Sequence, residues 1–415
     1  VNVLGESILG DDDAAERCRK IVSLIERPDV DYVSVKISAL CANLDVLAQS
    51  DSLRRIEARL REIYGAARDS SPRTFVNLDM EEYRDLELSL RSFMTVLDEP
   101  EFADLEAGIV LQAYIPDSHA ALNRLCAWAN ARRTRGGAGI KVRLVKGANL
   151  AMEQVEAELH DWPQAPYPAK LDVDASFKLM LESALRLGNP DAVRVGVASH
   201  NLFEVAWAVT VCEHLGARDR LDVEMLEGMA PPQSRAVRDI VGELILYSPV
   251  VEKQDREASI AYLSRRLDEN SSPENFLKSL FDIAPGSPSW LLEAERFRAS
   301  VAARHSVSVE SNRRQDRTDP IRSESASCRA SFVNCVSFVN CVDTDFTSEV
   351  NRAWVEGALA ACEPVEPPLT DTVEGVDVLV SAGVAAQAAW GQTPWEQRRA
   401  TLLRAADVME SERGN

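Results

Sequence analysis

Eight short runs rich in β-branched and apolar residues recur along the first 250 residues: VNVL (1–4), YVSVKI (32–37), FVNLDM (75–80), GIVLQAYI (108–115), IKVRLVKG (140–147), VRVGVAS (193–199), LDVEML (221–226) and LILYSPV (244–250). Between them lie stretches with helical spacing, among them SLRRIEARLREIYGAARD, DSHAALNRLCAWANARR, DASFKLMLESALRLG and NLFEVAWAVTVCEHLG. Strand and helix that alternate along a chain call for a parallel sheet, because a crossover helix is what returns the chain to begin a parallel neighbour. Eight such units in ~270 residues match an α/β fold of the (β/α)8 barrel type, with an open doubly wound sheet as the alternative.

Barrel enzymes carry their chemistry at the C-terminal ends of the strands. Here those ends hold Glu6, Lys36, Asp79, Gln112, Arg143 with Lys146, Ser199 with His200, Glu227 and Tyr247. The expectation is a polar ring over an apolar barrel. Lys36 also suits a side chain snorkelling at the rim, and Asp79 suits a cap on the helix that begins EEYRDLELSL. Gln112 inside GIVLQAYI needs hydrogen-bond partners that burial otherwise denies it. Arg143, between valine and leucine in a buried strand, must meet an anion or a polar cofactor to offset its desolvation.

Composition narrows the class. With 415 residues, of which 46% are hydrophobic, the chain can bury one large core or two ordinary ones. A formal net charge of −20 argues against nucleic acid as a partner, since phosphate recognition needs a concentrated basic surface. The N-terminus has no basic segment followed by an apolar one, and no apolar run reaches the ~20 residues of a membrane span, so a soluble, cytoplasmic protein is expected. The eight cysteines and five histidines are dispersed without metal-ligand spacing, which predicts neither a metal site nor a disulfide framework. Of the histidines only His200, in VASHN, sits where a strand ends.

RGGAGIKV (135–142) precedes a strand, whereas a dinucleotide fingerprint follows one, and it reads as a turn. KGAN (146–149) directly follows the fifth run, where Gly147 frees backbone amides to approach a phosphate and Lys146 adds charge; common turn chemistry gives the same letters. In YLSRRLDEN (262–270), Tyr262, Arg265, Arg266 and Glu269 fall within about one third of a helix circumference. They either form a solvated, salt-bridged face or converge on one ligand.

In this order, VSVKISAL, VNLDMEEYRDLELSL, IVLQAY, KVRLVKGA, VASHN, LEGM, LYSPV and YLSRRLDEN closely resemble the proline dehydrogenase domain of bacterial proline utilization A, over roughly residues 1–300. The resemblance implies a (β/α)8 barrel that binds FAD, oxidises L-proline to Δ1-pyrroline-5-carboxylate by hydride transfer from C5 to flavin N5, and passes electrons to membrane quinone. That last partner implies contact with the inner face of the membrane. It also implies roles: Arg143 near flavin N5; Gln112, Asp79 and Met80 along the isoalloxazine; Lys146, Gly147, Ala148, Ser199, His200 and Asn201 on the FAD chain; Lys170 toward its phosphate end, with Glu269 a further cofactor contact. Arg265, Arg266 and Lys36 hold the proline carboxylate, Tyr247, Tyr262 and Leu226 wall its ring, and Glu6 pairs with Arg265 as a gate. Arg143, Lys36 and Asp79 are the expected catalytic set, and no dedicated general base is assigned.

Asn149 departs from the pattern, since many relatives carry a tyrosine after the KGA motif; altered flavin affinity is expected there. Beyond the barrel, residues 306–330 turn polar and aperiodic, and 331–336 are repeated at 337–342. The tail resembles the start of the aldehyde dehydrogenase half of the same bifunctional enzyme, which by itself implies no pyrroline-5-carboxylate dehydrogenase activity. The expected domains are a barrel over 1–300, a linker with the short duplication over 301–342, and an aldehyde dehydrogenase fragment over 343–415. Three readings compete: a flavin-dependent proline dehydrogenase, a truncated non-catalytic remnant of the bifunctional enzyme, and a different barrel that takes phosphate at KGAN.

Overall fold

The computed structural model describes residues 1–3, 8, 10–251, 259–260, 262–264, 266–267, 275–280, 282–319, 342–362 and 372–412. The chain divides into two compact units, Val1–Arg313 and Arg314–Asn415.

In the first unit every expected strand is present: β1 (Asn2–Val3), β2 (Tyr32–Lys36), β3 (Phe75–Asp79), β4 (Ala107–Gln112), β5 (Ile140–Val145), β6 (Val193–Ala198), β7 (Leu221–Leu226) and β8 (Leu244–Tyr247). A short β9 (Pro249–Val250) continues the eighth strand past Ser248. All pairs are parallel and run in chain order, from β1 beside β2 to β7 beside β8. β9 then pairs with β1, and the Asn2 amide donates to the Ser248 carbonyl at 3.0 Å, so the sheet curls into a nearly closed barrel rather than staying open.

The crossover helices follow from apolar spacing. In Gln49–Asp69 the buried residues Leu53, Ile56, Leu60, Ile63, Tyr64 and Ala67 recur every three or four positions, forming one stripe toward the sheet. Each fully buried leucine or isoleucine on it contributes about 1.5–3 kcal/mol of transfer free energy. Asp117–Thr134, Lys170–Leu187 and Leu202–His214 serve the later strands. Leu150–His160 begins directly after KGAN.

The expectation of an apolar barrel interior is overturned. The valines and leucines of the strands, such as Val33, Val35, Val76, Leu78, Val142, Leu144, Val195 and Val197, belong to the core shared with the outer helices. Residues paired across parallel strands share a face, and the register pairs Ser34 with Asn77, Lys36 with Asp79, Gly108 with Lys141 and Gly196 with Asp222. Side chains on this face bond between strands that are not neighbours, Arg143 of β5 to Asp79 of β3 and to Glu224 of β7, which only the barrel interior permits. The interior is therefore largely ionic, and most β-branched strand side chains point outward, Val110 and Ile245 sharing the inner face with Arg143 and Glu224.

The second unit begins with a hydrogen-bonded segment in which Arg317 Nη2 donates to the Val342 carbonyl at 2.7 Å and Asn351 Nδ2 to the Asp345 carbonyl at 2.9 Å. The helices Glu349–Ala361, Val373–Gln392 and Trp395–Ser411 follow, and Val378, Leu379, Val384, Trp395 and Leu402 on the last two are exposed. No helix among the described residues is long and apolar enough to cross a membrane.

Candidate active site

Because all strands are parallel, their C-terminal ends open at one mouth, and most of the sequence-predicted residues meet there. Arg143 is only 4% exposed. Its Nε donates to Glu224 Oε2 at 2.6 Å and its Nη1 to Asp79 Oδ1 at 2.9 Å, while Tyr247 covers its cation at 5.2 Å. Burial pushes this guanidinium down, but Glu224 and Asp79 overcome that and hold its pKa above the ordinary value. Among the described residues its Nη2 is buried with no hydrogen-bond partner.

Asp79 does not cap the following helix. Its Oδ1 also accepts from Asn77 Nδ2 at 2.8 Å, and its Oδ2 accepts from the Tyr247 hydroxyl at 3.0 Å. Burial, reinforced by the Asp79 carboxylate, holds the Tyr247 hydroxyl well above the usual tyrosine range. Gln112 finds partners for its amide nitrogen, with Nε2 donating to the Glu81 carbonyl at 3.1 Å and, at 3.5 Å, to that of Met80, while among the described residues its Oε1 is buried without one. Lys36 lies beside Asp79 in the register but is ion-paired to Glu81, whose other oxygen accepts from Ser38 Oγ at 2.6 Å.

The fifth and sixth strand ends carry a second cluster. Lys146 Nζ donates to Asp174 Oδ1 at 2.6 Å and approaches Glu204 Oε1 at 3.2 Å; Lys170 shares the same Asp174 oxygen, and Lys178 donates to Glu204 at 2.7 and 2.9 Å. Three ammonium groups thus share two carboxylates. Burial and the neighbouring Lys146 lower Lys170 to about 8, although Asp174 opposes them. Burial raises Asp174, but Lys146 and Lys170 outweigh it and bring it to about 2.

Gly147 sits at φ 124°, a conformation that L side chains rarely adopt, and a Cβ there would meet the Tyr114 ring at 2.5 Å. Ala148 follows it into the helix that starts at Leu150, and Asn149 donates Nδ2 to the Glu81 carbonyl at 2.8 Å. His200 Nε2 accepts from the Leu226 amide at 3.0 Å, which fixes the neutral ring with its proton on Nδ1; burial lowers its pKa, and Nδ1 is buried without a partner among the described residues. Ser199 Oγ accepts from the Asn201 amide at 3.1 Å, and Asn201 caps the next helix through the Phe203 amide at 3.0 Å.

Residues 262–264 and 266–267 are helical, and Arg266 lies over the Tyr262 ring at 5.5 Å. After burial and the Asp79 carboxylate, Tyr262 adds a small upward push to the Tyr247 hydroxyl. Glu6, Arg265 and Glu269 lie outside the described residues.

Sequence reasoning missed Glu224, Lys141, Asp174, Glu204 and Glu81. A signal existed for the first two: charges two apart in KVR and DVE within apolar strands place both members on one face.

A family model described as proline dehydrogenase matches residues 1–279. The bifunctional protein PutA of Escherichia coli (strain K12) is 27% identical over 258 residues, which covers 60% of this chain and 19% of that protein. The chain thus spans about a fifth of the length of this bifunctional relative. The proline dehydrogenase of Deinococcus radiodurans is 26% identical over 284 residues, 66% of this chain and 78% of that protein. Among solved structures, PutA from Corynebacterium freiburgense is 42% identical with a TM-score of 0.73, covering 92% of this chain and 35% of that one. PutA from Bdellovibrio bacteriovorus inactivated by N-propargylglycine is 27% identical with a TM-score of 0.77, covering 100% of this chain and 45% of that one. With two thirds of its length matched by one family model and an ionic barrel mouth behind the match, this chain belongs to the proline dehydrogenase family.

Proposed function

We propose that this chain is an FAD-dependent proline dehydrogenase, and the observation that carries the reading is the buried Nη2 of Arg143, which has no hydrogen-bond partner among the described residues. A guanidinium held by two carboxylates, with one nitrogen left over, is a prepared donor for a ligand atom inside the barrel. Other features fit the same cofactor. The Nδ1–H of His200, without a partner among the described residues, is a second donor, and the Lys146, Lys170 and Lys178 cluster carries one positive charge beyond its two carboxylates, which suits a diphosphate. Gly147 lets backbone pass close to that group, with Ala148, Ser199 and Asn201 beside it. On this reading Gln112, Met80 and Asp79 would lie along the isoalloxazine.

When bound, FAD would supply the hydride acceptor: loss of hydride from C5 of L-proline to flavin N5 and of the N–H proton to solvent would leave Δ1-pyrroline-5-carboxylate, and quinone would take the two electrons from the reduced flavin. The chain's own residues orient and enclose the substrate. Arg266, stacked on Tyr262, offers a planar fork to the proline carboxylate, and Lys36 adds charge once Glu81 releases it. Leu226, Tyr247 and Tyr262 exclude water around the ring, which proximity catalysis without a nucleophile requires. Positive charge from Arg143 favours electron density arriving nearby. Arg265 and Glu269 take their roles from the resemblance, as does Glu6 in the gate. By the same resemblance the reaction would run in the cytoplasm, at the inner membrane face.

Thermal melting with and without FAD tests the reading, because a ligand that binds only the folded state raises the midpoint. A midpoint that rises with added FAD supports it. No rise favours the non-catalytic remnant, and protection by inorganic phosphate but not FAD favours a phosphate barrel.

A further inference from the structure

The ionic interior continues below Arg143 into residues the reaction itself does not need. Glu224 is 1% exposed and bridges two cations: Oε2 accepts from Arg143 Nε at 2.6 Å and Oε1 lies 2.6 Å from Lys141 Nζ. Lys141, 2% exposed, also meets Asp222 Oδ2 at 3.0 Å and lies over the Tyr32 ring at 4.9 Å. Asp222 is neutralised in turn by Arg194 at 2.7 Å. From Asp79 to Lys141 the column holds two cations and two carboxylates and is neutral.

The fold makes room for this column. A Cβ at Gly196 would meet Glu224 Oε1 at 2.4 Å and Lys141 Cε at 2.7 Å, and a Cβ at Gly108 would meet Asn77 Oδ1 at 2.3 Å. Asn77 is the residue that steadies Asp79. Two glycines facing the barrel interior thus leave the volume that the ion pairs occupy. Burying four charges is costly, and a well-packed apolar interior is often as stable or more so. Stability alone gives no reason for the arrangement.

We propose that Glu224, balanced on its far side by Lys141, is a positioning residue for Arg143: it fixes the guanidinium and sets the net charge beside the flavin, and so tunes the flavin's reduction potential. The inference rests on the FAD reading above. The signs follow from charge count. Glu224→Gln leaves the column one unit more positive and favours the reduced flavin; Lys141→Met leaves it one unit more negative and disfavours it; the double variant is neutral again.

The test is a redox titration of FAD-loaded protein, wild type beside Glu224→Gln, Lys141→Met and the double variant. At a fixed solution potential the ratio of oxidised to reduced flavin is expected to fall roughly tenfold in Glu224→Gln and to rise roughly tenfold in Lys141→Met, ~30 mV each for a two-electron couple. The double variant should return toward wild type. A merely structural role lowers melting temperature and flavin content in both single variants without opposed potentials. Potentials that do not move, or that move the same way, in folded, flavin-loaded variants overturn the proposal. Should Glu224→Gln fail to fold, Lys141→Met decides, because it keeps the Glu224–Arg143 pair: a lowered potential supports the proposal and an unchanged one overturns it. Wild-type protein that takes up no FAD instead overturns the functional reading itself, and this inference with it.

Discussion

Tyr247 hangs its hydroxyl on Asp79 Oδ2 at 3.0 Å, the same carboxylate whose Oδ1 accepts from Arg143. The eighth strand is thereby tied to the third and fifth across the mouth. Tyr247→Phe removes one hydrogen bond to a charged group, about 1.5–3 kcal/mol. Flavin content should survive, while the KM for proline rises several-fold; an unchanged KM in steady-state kinetics would remove Tyr247 from the substrate wall.

Arg266→Ala separates substrate binding from cofactor binding. Loss of a charge-assisted fork should raise the KM for proline roughly 10- to 100-fold and leave FAD stoichiometry intact. Parallel loss of both, measured by flavin absorbance per chain, contradicts a carboxylate clamp.

Lys170 gives the flavin site a pH dependence. Its folded pKa of about 8 lies below the ordinary lysine value of 10.5, so its charge is present at neutral pH and is lost as pH rises past 8. FAD affinity should therefore weaken between about pH 7.5 and 10, and Lys170→Ala should flatten that slope. The flavin-free fold behaves oppositely, because the unfolded chain binds more protons between about 8 and 10.5, and its stability from this group rises with pH there. Isothermal titration with FAD and melting of the apoprotein across this range check both signs.

Asp85, 6% exposed, is pushed up to about 7 by burial and then by Glu82. The folded state binds the extra proton, so this group costs stability as pH rises from about 4 through 7. Asp85→Asn should melt a few degrees above wild type at pH 8, with the gap closing toward pH 4 in differential scanning calorimetry.

Gly147→Ala places a Cβ against the Tyr114 ring and strains a φ of 124°. A cost of about 1–3 kcal/mol is expected locally, read as weaker FAD binding with little change in circular dichroism.

The strands were legible because their outward faces pack on helices and so repeat valine, isoleucine and leucine at every second position. The same regularity hid the interior. Lys141 and Glu224 alternate with those residues, but which cation meets which carboxylate depends on closing the barrel between non-adjacent strands. Lys36, Asp79, Gln112 and Arg143 were legible as polar residues at strand ends, and the closed sheet brings all four to one mouth. Glu204 was not: three residues after the Asn201 cap it reads as a helix-start acid, yet its side chain is 2% exposed and binds Lys178 and Lys146. Asp174 likewise reads as a solvated helix residue and instead joins Lys146 to Lys170.

The most direct measurement is the visible spectrum of the purified chain after incubation with FAD and removal of excess. The account predicts a stoichiometric flavin band that bleaches when L-proline is added without oxygen, and does not bleach with D-proline. A colourless protein, or a bound flavin that L-proline leaves oxidised, would contradict it.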